Sequence, residues 1–176
     1  VLLCEFILRN KQKKGTLSNK GAVIKTIVTT SMIYPIAKAY GVNVIDVLTG
    51  FKFIGEKIKD FEEHDYYNEF IFGFEESYGY LAGTYARDKD AVVAAMLIAE
   101  MAADYKEQGL TLYEGLLSLY KKYGCYLEGT KSIVLEGIDG ADKINAIMEK
   151  FRSEPMTEYA GSKVLRAWDV SAGTIK

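Results

Sequence analysis

The sequence predicts an α/β fold: a βαβαβ unit forming a mixed, largely parallel sheet layered with helices, followed by a small α+β C-terminal extension. Three observations carry this. The runs AVIKTIVTT, VNVIDVLTG and EFIFGFEES are apolar, rich in β-branched or aromatic residues and bounded by glycine or polar positions, as buried strands require. Between them lie SMIYPIAKAYG and FKFIGEKIKDFEEH, whose apolar residues recur at helical spacing. The 176 residues are 49% hydrophobic and 12% aromatic with only 2 prolines. A core can therefore be buried, which excludes disorder, a collagen-like repeat and a disulfide-stapled miniature.

Residues 1–14 form the first expected element, a short amphipathic helix. Leu2, Leu3, Phe6 and Ile7 share a face, charge gathers at the end, and Gly15 offers the positive φ at which helices stop. After polar TLSNKG, the first strand is bounded by Gly21 and by Thr30 and Ser31. Ser31 is then expected to cap the next helix, with Ile33, Ile36, Ala37 and Tyr40 inward, Pro35 harmless in the first turn and Gly41 the stop. The second strand, second helix and third strand follow, the last ending in polar residues. A long helix from about Asp90 to Lys106 carries Val93, Met96, Leu97 and Met101 at core spacing, and TLYEGLLSLYKKYG makes another.

From Cys125 the texture changes. YLEGTKSIVLEG resembles a strand or hairpin, GADKINAIMEKFRS a helix and GSKVLRAWDV another strand, with Trp168 expected to anchor the tail by packing. Residues 1–124 are accordingly assigned to one domain and 125–176 to a partial extension, since so few apolar positions are marginal alone. The chain opens on Val1 inside an apolar helical pattern and closes at GTIK, which suggests a piece of a longer protein.

Composition narrows the function. A net charge of -2 gives no basic surface for a polyanion, so nucleic acid is not an expected partner. No apolar run reaches the roughly 18–20 residues that span a bilayer, and VLLCEFIL is too short for a leader, with its basic residues on the wrong side. No membrane association and a cytoplasmic location are expected. Cys4 and Cys125 lie far apart, and His64 is the single histidine. No metal site is assigned to them; both thiols are expected reduced and buried or half-buried, and His64 solvated.

Ligands of open α/β sheets gather at strand carboxyl ends; three segments there bear chemistry, and a fourth follows shortly before the long helix. Thr29-Thr30-Ser31 sets three hydroxyls before a helix, for an anion or merely for capping. In Leu48-Thr49-Gly50-Phe51-Lys52, Gly50 lets backbone approach a ligand, although an ordinary strand-to-helix turn reads the same way. Gly73-Phe74-Glu75-Glu76-Ser77-Tyr78-Gly79-Tyr80 crowds carboxylates and a hydroxyl onto an apolar strand end. Charge there needs compensation, and the mixture of acceptors and donor suits vicinal sugar hydroxyls; the alternative is a solvated turn, with Tyr78 and Tyr80 able to flank a ligand. In Ala86-Arg87-Asp88-Lys89-Asp90 either aspartate could cap the long helix, but Arg87 and Lys89 oppose its dipole unless an anion lies near.

Taken in order, TIVTTSMI, VLTGFKFIGEKI, GFEESYGY and ARDKDAVVAAML resemble the third domain of the phosphohexomutases, most closely the bacterial phosphoglucomutase/phosphomannomutase group, across about residues 1–125. The resemblance implies a four-domain parent that moves phosphate between C1 and C6 of a hexose, through a phosphoserine and a bisphosphorylated sugar. It implies that Glu75 and Ser77 contact sugar hydroxyls, that Thr49 and Gly50 contact the sugar, and that Arg87 and Lys89 match a segment whose lysine has an acid/base or phosphate-proximal role. Its partners would be a hexose phosphate and the other three domains, its cofactors Mg2+ and hexose 1,6-bisphosphate.

The departures are equally definite. No TASHN-type serine loop, DGDxDR metal loop or RPSGTEP-type phosphate loop occurs, and Asp46, Asp60, Asp65 and the ARDKD aspartates form no DxDxD cluster. This chain should fold without turning over substrate. Two other readings remain open at this point: a non-catalytic carbohydrate- or phosphate-binding module, and a structural α/β module with a polar loop at its sheet edge.

Overall fold

The computed structural model describes residues 1–64, 68–129, 132–170 and 174–175, and the chain divides into two units, Val1–Gly129 and Thr130–Lys176. In the first unit, helix α1 (Leu2–Lys13) buries Leu3, Cys4, Phe6, Ile7 and Leu8. Strand β1 (Gly21–Thr26) follows, buried at every position. It ends earlier than the apolar run does, because the Thr29 N–H and hydroxyl both turn back onto the Thr26 carbonyl, at 3.1 and 2.6 Å. Helix α2 (Ile33–Ala39), strand β2 (Asn43–Val47), helix α3 (Phe51–Glu63) and strand β3 (Glu69–Phe74) complete the expected βαβαβ order.

The sheet is mixed and largely parallel, in the order β2-β1-β3-β4. Strand β1 pairs in parallel with β2 and with β3, and the edge strand β4 (Tyr80–Ala82) returns antiparallel to β3. Strand alternation, offset in β3 by a register shift between Phe70 and Phe72, sends side chains to two cores. On one face, Val23, Phe72 and Phe74 pack with α1 and α2 and with Met101, Tyr105 and Leu119 from helices α4 (Ala91–Glu107) and α5 (Leu112–Tyr123). On the other, Ala22, Ile24, Phe70 and Leu81 pack against Phe51, Ile54, Ile58 and Phe61 of α3. Both parallel junctions therefore open at one end of the sheet, above the carboxyl ends of β1, β2 and β3.

Polar groups tie the helical layer together. Glu5, only 4% exposed, accepts from Arg9 and from the Tyr40 hydroxyl, and Arg9 also donates to Asp104 at 2.7 Å. Burial is compensated by pairing and hydrogen bonding, and α1, α2 and α4 are held in one arrangement. Thr111 and Glu114 form a reciprocal capping box on α5.

Several sequence expectations need correction. Ser31 does not cap α2: the N-cap is Met32, without a side-chain bond, and the Ser31 N–H is drawn to Glu128 Oε1 at 2.6 Å. On α4 the buried positions are Ala94, Met101 and Tyr105, whereas Met96 is exposed; the helix is apolar nearly all round, so spacing alone does not choose its inner face, and Val92, Met96 and Ile98 point to solvent. Cys125 is exposed, while Cys4 is buried and its thiol is pushed up to about 12 by loss of solvation. Trp168 is 53% exposed and does not anchor the tail by burial.

The second unit contains helix α6 (Gly137–Ser153) and two antiparallel pairs of two-residue strands, β5 (Glu158–Tyr159) with β6 (Ser162–Lys163) and β7 (Trp168–Asp169) with β8 (Thr174–Ile175). The strand expected within YLEGTKSIVLEG is not formed among its described residues. Met148, Phe151, Tyr159 and Leu165 are exposed, so these side chains supply no buried cluster to drive longer strands. Arg152 instead pairs with Asp169 at 2.8 Å and Glu149 at 2.9 Å.

Ile54 is fully buried in the α3 core and faces Gly73, where a Cβ would stand 2.8 Å from its Cγ2. Ile54→Ala is expected to destabilise the first unit by about 2–5 kcal/mol, measured by urea unfolding; a loss below about 0.5 kcal/mol, the range of surface substitutions, would contradict this packing.

Candidate functional site

Strand β3 delivers Glu75 to the sheet's carboxyl end still 5% exposed, and a carboxylate buried that far requires donors. It has three, from three segments. Lys89 Nζ donates to Oε1 at 2.6 Å and Ser77 Oγ to the same oxygen at 2.7 Å. The third donor is the backbone N–H of Phe51, the first residue of α3. Gly50 makes that possible, holding φ at 118° as the N-cap, so the chain turns from β2 into a helix whose free N–H faces the acid.

Burial pushes the Glu75 carboxyl upward, but the hydrogen bonds from Lys89 and Ser77, the ammonium charge and the Phe51 N–H outweigh it and hold the group below the usual carboxylate range. The bond to Glu75 raises Lys89 in turn, against desolvation. Glu75 contributes stability above its unfolded value of about 4.3 and loses it as pH falls through its lowered folded value; Lys89 contributes below about 10.4 and loses it as pH rises through its raised folded value. The pair is intact in the window between.

Close packing fixes the pair. A Cβ on Gly79 would lie 2.7 Å from Glu75 Oε1 and 2.9 Å from Lys89 Cδ, and a Cβ on Gly55 would lie 2.5 Å from the Arg87 carbonyl oxygen. The Arg87–Asp90 segment is thus pressed against α3 on one side and against the acidic loop on the other. Asp90 caps α4, accepting from the Val92 and Val93 N–H groups at 2.8 and 3.0 Å, and Asp88 accepts from the Lys89 N–H.

The cations before α4, expected to need a bound anion, meet carboxylates of the chain itself: Lys89 is paired with Glu75, and Arg87 with Glu62 of α3 while also donating to the Thr84 carbonyl. This corrects the electrostatic argument, because folded neighbours supply the negative charge that the linear sequence seemed to lack. The hydroxyls of residues 29–31 likewise close turns: Thr29 bonds Thr26, and Thr30 Oγ1 accepts from the Met32 N–H.

Glu75, Ser77, Lys89 and the backbone following Gly50 therefore converge. Thr49 is exposed one residue before that turn, Lys52 extends over the Phe53 ring at 4.7 Å, and Arg87 is directed toward Glu62. Tyr78, 86% exposed at φ 60°, projects from the tip of the acidic loop. A cavity of about 450 Å³ opens beside the loop, lined in part by Thr29, Thr30, Glu75, Glu76 and Tyr80.

The sequence reading missed the support beneath this site. Lys25 is 2% exposed, with Nζ 2.9 Å from Asp46 Oδ1, and the fully buried Thr26 donates its hydroxyl to Glu76 Oε2 at 2.7 Å. The one available signal was a lysine inside the apolar run AVIKTIV. His64, at the end of α3, is solvent-exposed. Among the described residues, which exclude Asp65, no group of three His, Cys, Asp or Glu is placed to hold a metal ion, and no helix is long and apolar enough to cross a membrane.

Comparison with known proteins adds three findings. Residues 2–123 match the family described as phosphoglucomutase/phosphomannomutase, alpha/beta/alpha domain III. Phosphoglucomutases of Staphylococcus aureus strains bovine RF122 / ET3-1 and USA300 are each 42% identical over 142 residues, which is 81% of this chain and 25% of theirs. The chain thus spans a quarter of the length of these relatives. A crystal structure of a Thermus thermophilus protein assigned as a phosphomannomutase superposes with a TM-score of 0.53 at 22% identity, over 70% of this chain and 25% of that one, a likeness of fold.

Lys89→Met is expected to raise the Glu75 titration midpoint, read by NMR of the side-chain carboxyl, since the ammonium and its hydrogen bond both vanish. Gly79→Ala should raise it as well by forcing the partners apart. A Glu75 midpoint unmoved in both variants would show that this pairing does not hold the acid.

Proposed function

The chain belongs to the phosphoglucomutase/phosphomannomutase domain III family, and from that premise we propose that it forms the sugar-recognition wall of a phosphohexomutase interconverting hexose 1-phosphate and hexose 6-phosphate. The observation that carries the reading is the convergence of Ser77, Lys89 and the Phe51 N–H on one buried carboxylate. A carboxylate fixed by donors on three segments is a preorganised acceptor, and hydroxyls of a pyranose ring are the donors it suits.

Ser77 donates to Glu75 and keeps lone pairs to accept from a second hydroxyl. An ammonium has three donors, of which Glu75 takes one, so Lys89 reaches out with the rest toward a phosphate oxygen or an acceptor hydroxyl, where it stabilises charge or passes a proton. Thr49 and Gly50 border the same end of the sheet, and Arg87 holds its backbone against α3. The bisphosphorylated sugar must turn over between two phosphoryl transfers at a phosphoserine elsewhere in the parent. A wall that reads the 3- and 4-hydroxyls serves both orientations, because those groups occupy nearly equivalent places after the turn.

In this reading the phosphoserine, the distal phosphate loop and the ligands of magnesium belong to the other domains of the parent, and hexose 1,6-bisphosphate is its intermediate and activator. Residues 125–176 lead toward the C-terminal domain.

In the full-length parent, Glu75→Ala and Ser77→Ala should each lower kcat/KM for hexose phosphates by about tenfold to a hundredfold, the scale of one hydrogen bond involving a charged group. Parental kinetics in both variants would end the assignment. The 176-residue chain alone should show no mutase activity with magnesium and the bisphosphate present; turnover by rigorously purified chain would contradict the division of labour.

A further inference from the structure

The carboxyl end of β1 holds two consecutive polar side chains that the proposed recognition chemistry does not use. Lys25 is 2% exposed and Thr26 is fully buried. Strand alternation sends them to opposite faces of the sheet, and each reaches toward a different neighbour.

Lys25 turns toward β2, its direct partner across the ladder being Asp46. Its Nζ lies 2.9 Å from Asp46 Oδ1, an ion pair whose alignment falls short of a hydrogen bond. It donates to the carbonyls of Thr26 and Thr29, each at 3.3 Å. The Tyr34 ring covers it, with its centroid 5.3 Å from Nζ, and the Tyr34 hydroxyl donates to Asp46 Oδ2. Asp46 lies three residues before Thr49 and four before Gly50. Lys25 thereby fixes both the loop that leaves β1 and the strand end that launches the Thr49-Gly50 turn. Thr26 turns toward β3, and its hydroxyl donates to Glu76 Oε2 at 2.7 Å, one residue beyond Glu75.

Burying an ammonium at the end of a strand is costly, and an apolar side chain would satisfy the packing alone. We infer that Lys25 and Thr26 are positioning residues, which set the Thr49-Gly50 turn and the Glu75–Ser77 loop in register with one another across the central strand. The inference rests on the recognition role proposed for those two loops. Neither residue touches the ligand; each acts through the carboxylate or the carbonyls it holds.

The test uses the full-length parent. Thr26→Val keeps the volume and removes the donor, Thr26→Ser keeps the donor, and Lys25→Met combined with Asp46→Leu removes both charges so that no ion is left unpaired. Loops that read hydroxyls alike in ground and transition states affect KM more than kcat. Thr26→Val and the Lys25/Asp46 double variant should therefore raise KM for hexose phosphate about threefold to tenfold, with kcat within about twofold, the scale of a displaced hydrogen bond. Thr26→Ser should restore KM, and Glu76→Gln added to Thr26→Val should raise it no further.

A parental KM in Thr26→Val and in the double variant, even with a lowered melting temperature, would make the pair structural only and overturn the inference. So would Thr26→Ser failing to restore KM. Glu75→Ala measured alongside separates the two claims. If it raises KM while the β1 variants do not, positioning alone fails; if it too leaves KM unchanged, the recognition reading falls and this inference with it.

Discussion

A carboxylate placed at 5% exposure on the end of an apolar strand must be solvated by the protein, and the arrangement of the first unit answers that requirement. Glu75 draws the entrance of α4 inward through Lys89, turns its own loop back through Ser77, and takes the first N–H of α3. Those donors come from elements on different sides of the sheet, so the acid is where the layers are made to agree. Gly79 and Gly55 are the spatial counterpart: side chains at either would collide with the acid, the lysine or the Arg87 backbone.

The fold was legible where pattern and length were unambiguous. Three β-branched or aromatic runs separated by helix-period segments leave little choice but a βαβαβ sheet, and the structure follows that order. What escaped was set by tertiary context. Strand β4 spans Tyr80–Ala82, too short for alternation to register. The inner face of α4 could not be read from spacing because every position from Ala91 to Ala99 is apolar, and the hydroxyl that accepts at the entrance of α2 is that of Thr30, bonded to the Met32 N–H, not that of Ser31.

At the site, composition pointed to the acidic loop and to Lys89, but not to the bond between them, which joins residues 14 apart in sequence. The inverse error concerned Arg87. Judged against the helix dipole alone it demanded an external anion, whereas Glu62, distant in sequence and adjacent in space, provides one. Lys25 and Thr26 were passed over because a strand's polar end resembles ordinary fraying until their partners on β2 and beyond β3 are known. Charges in a linear sequence have no partners; folding assigns them, and that assignment separates a recognition surface from a solvated turn.

The outward face of α4 has a practical bearing. Val92 and Met96 lie one turn apart and stand in water, and neighbouring exposed apolar side chains make a sticky surface. Such a flank favours clustering of the purified chain and its adsorption to plastic. A polar redesign of that flank would alter handling in the laboratory while leaving Glu75 and its donors in place.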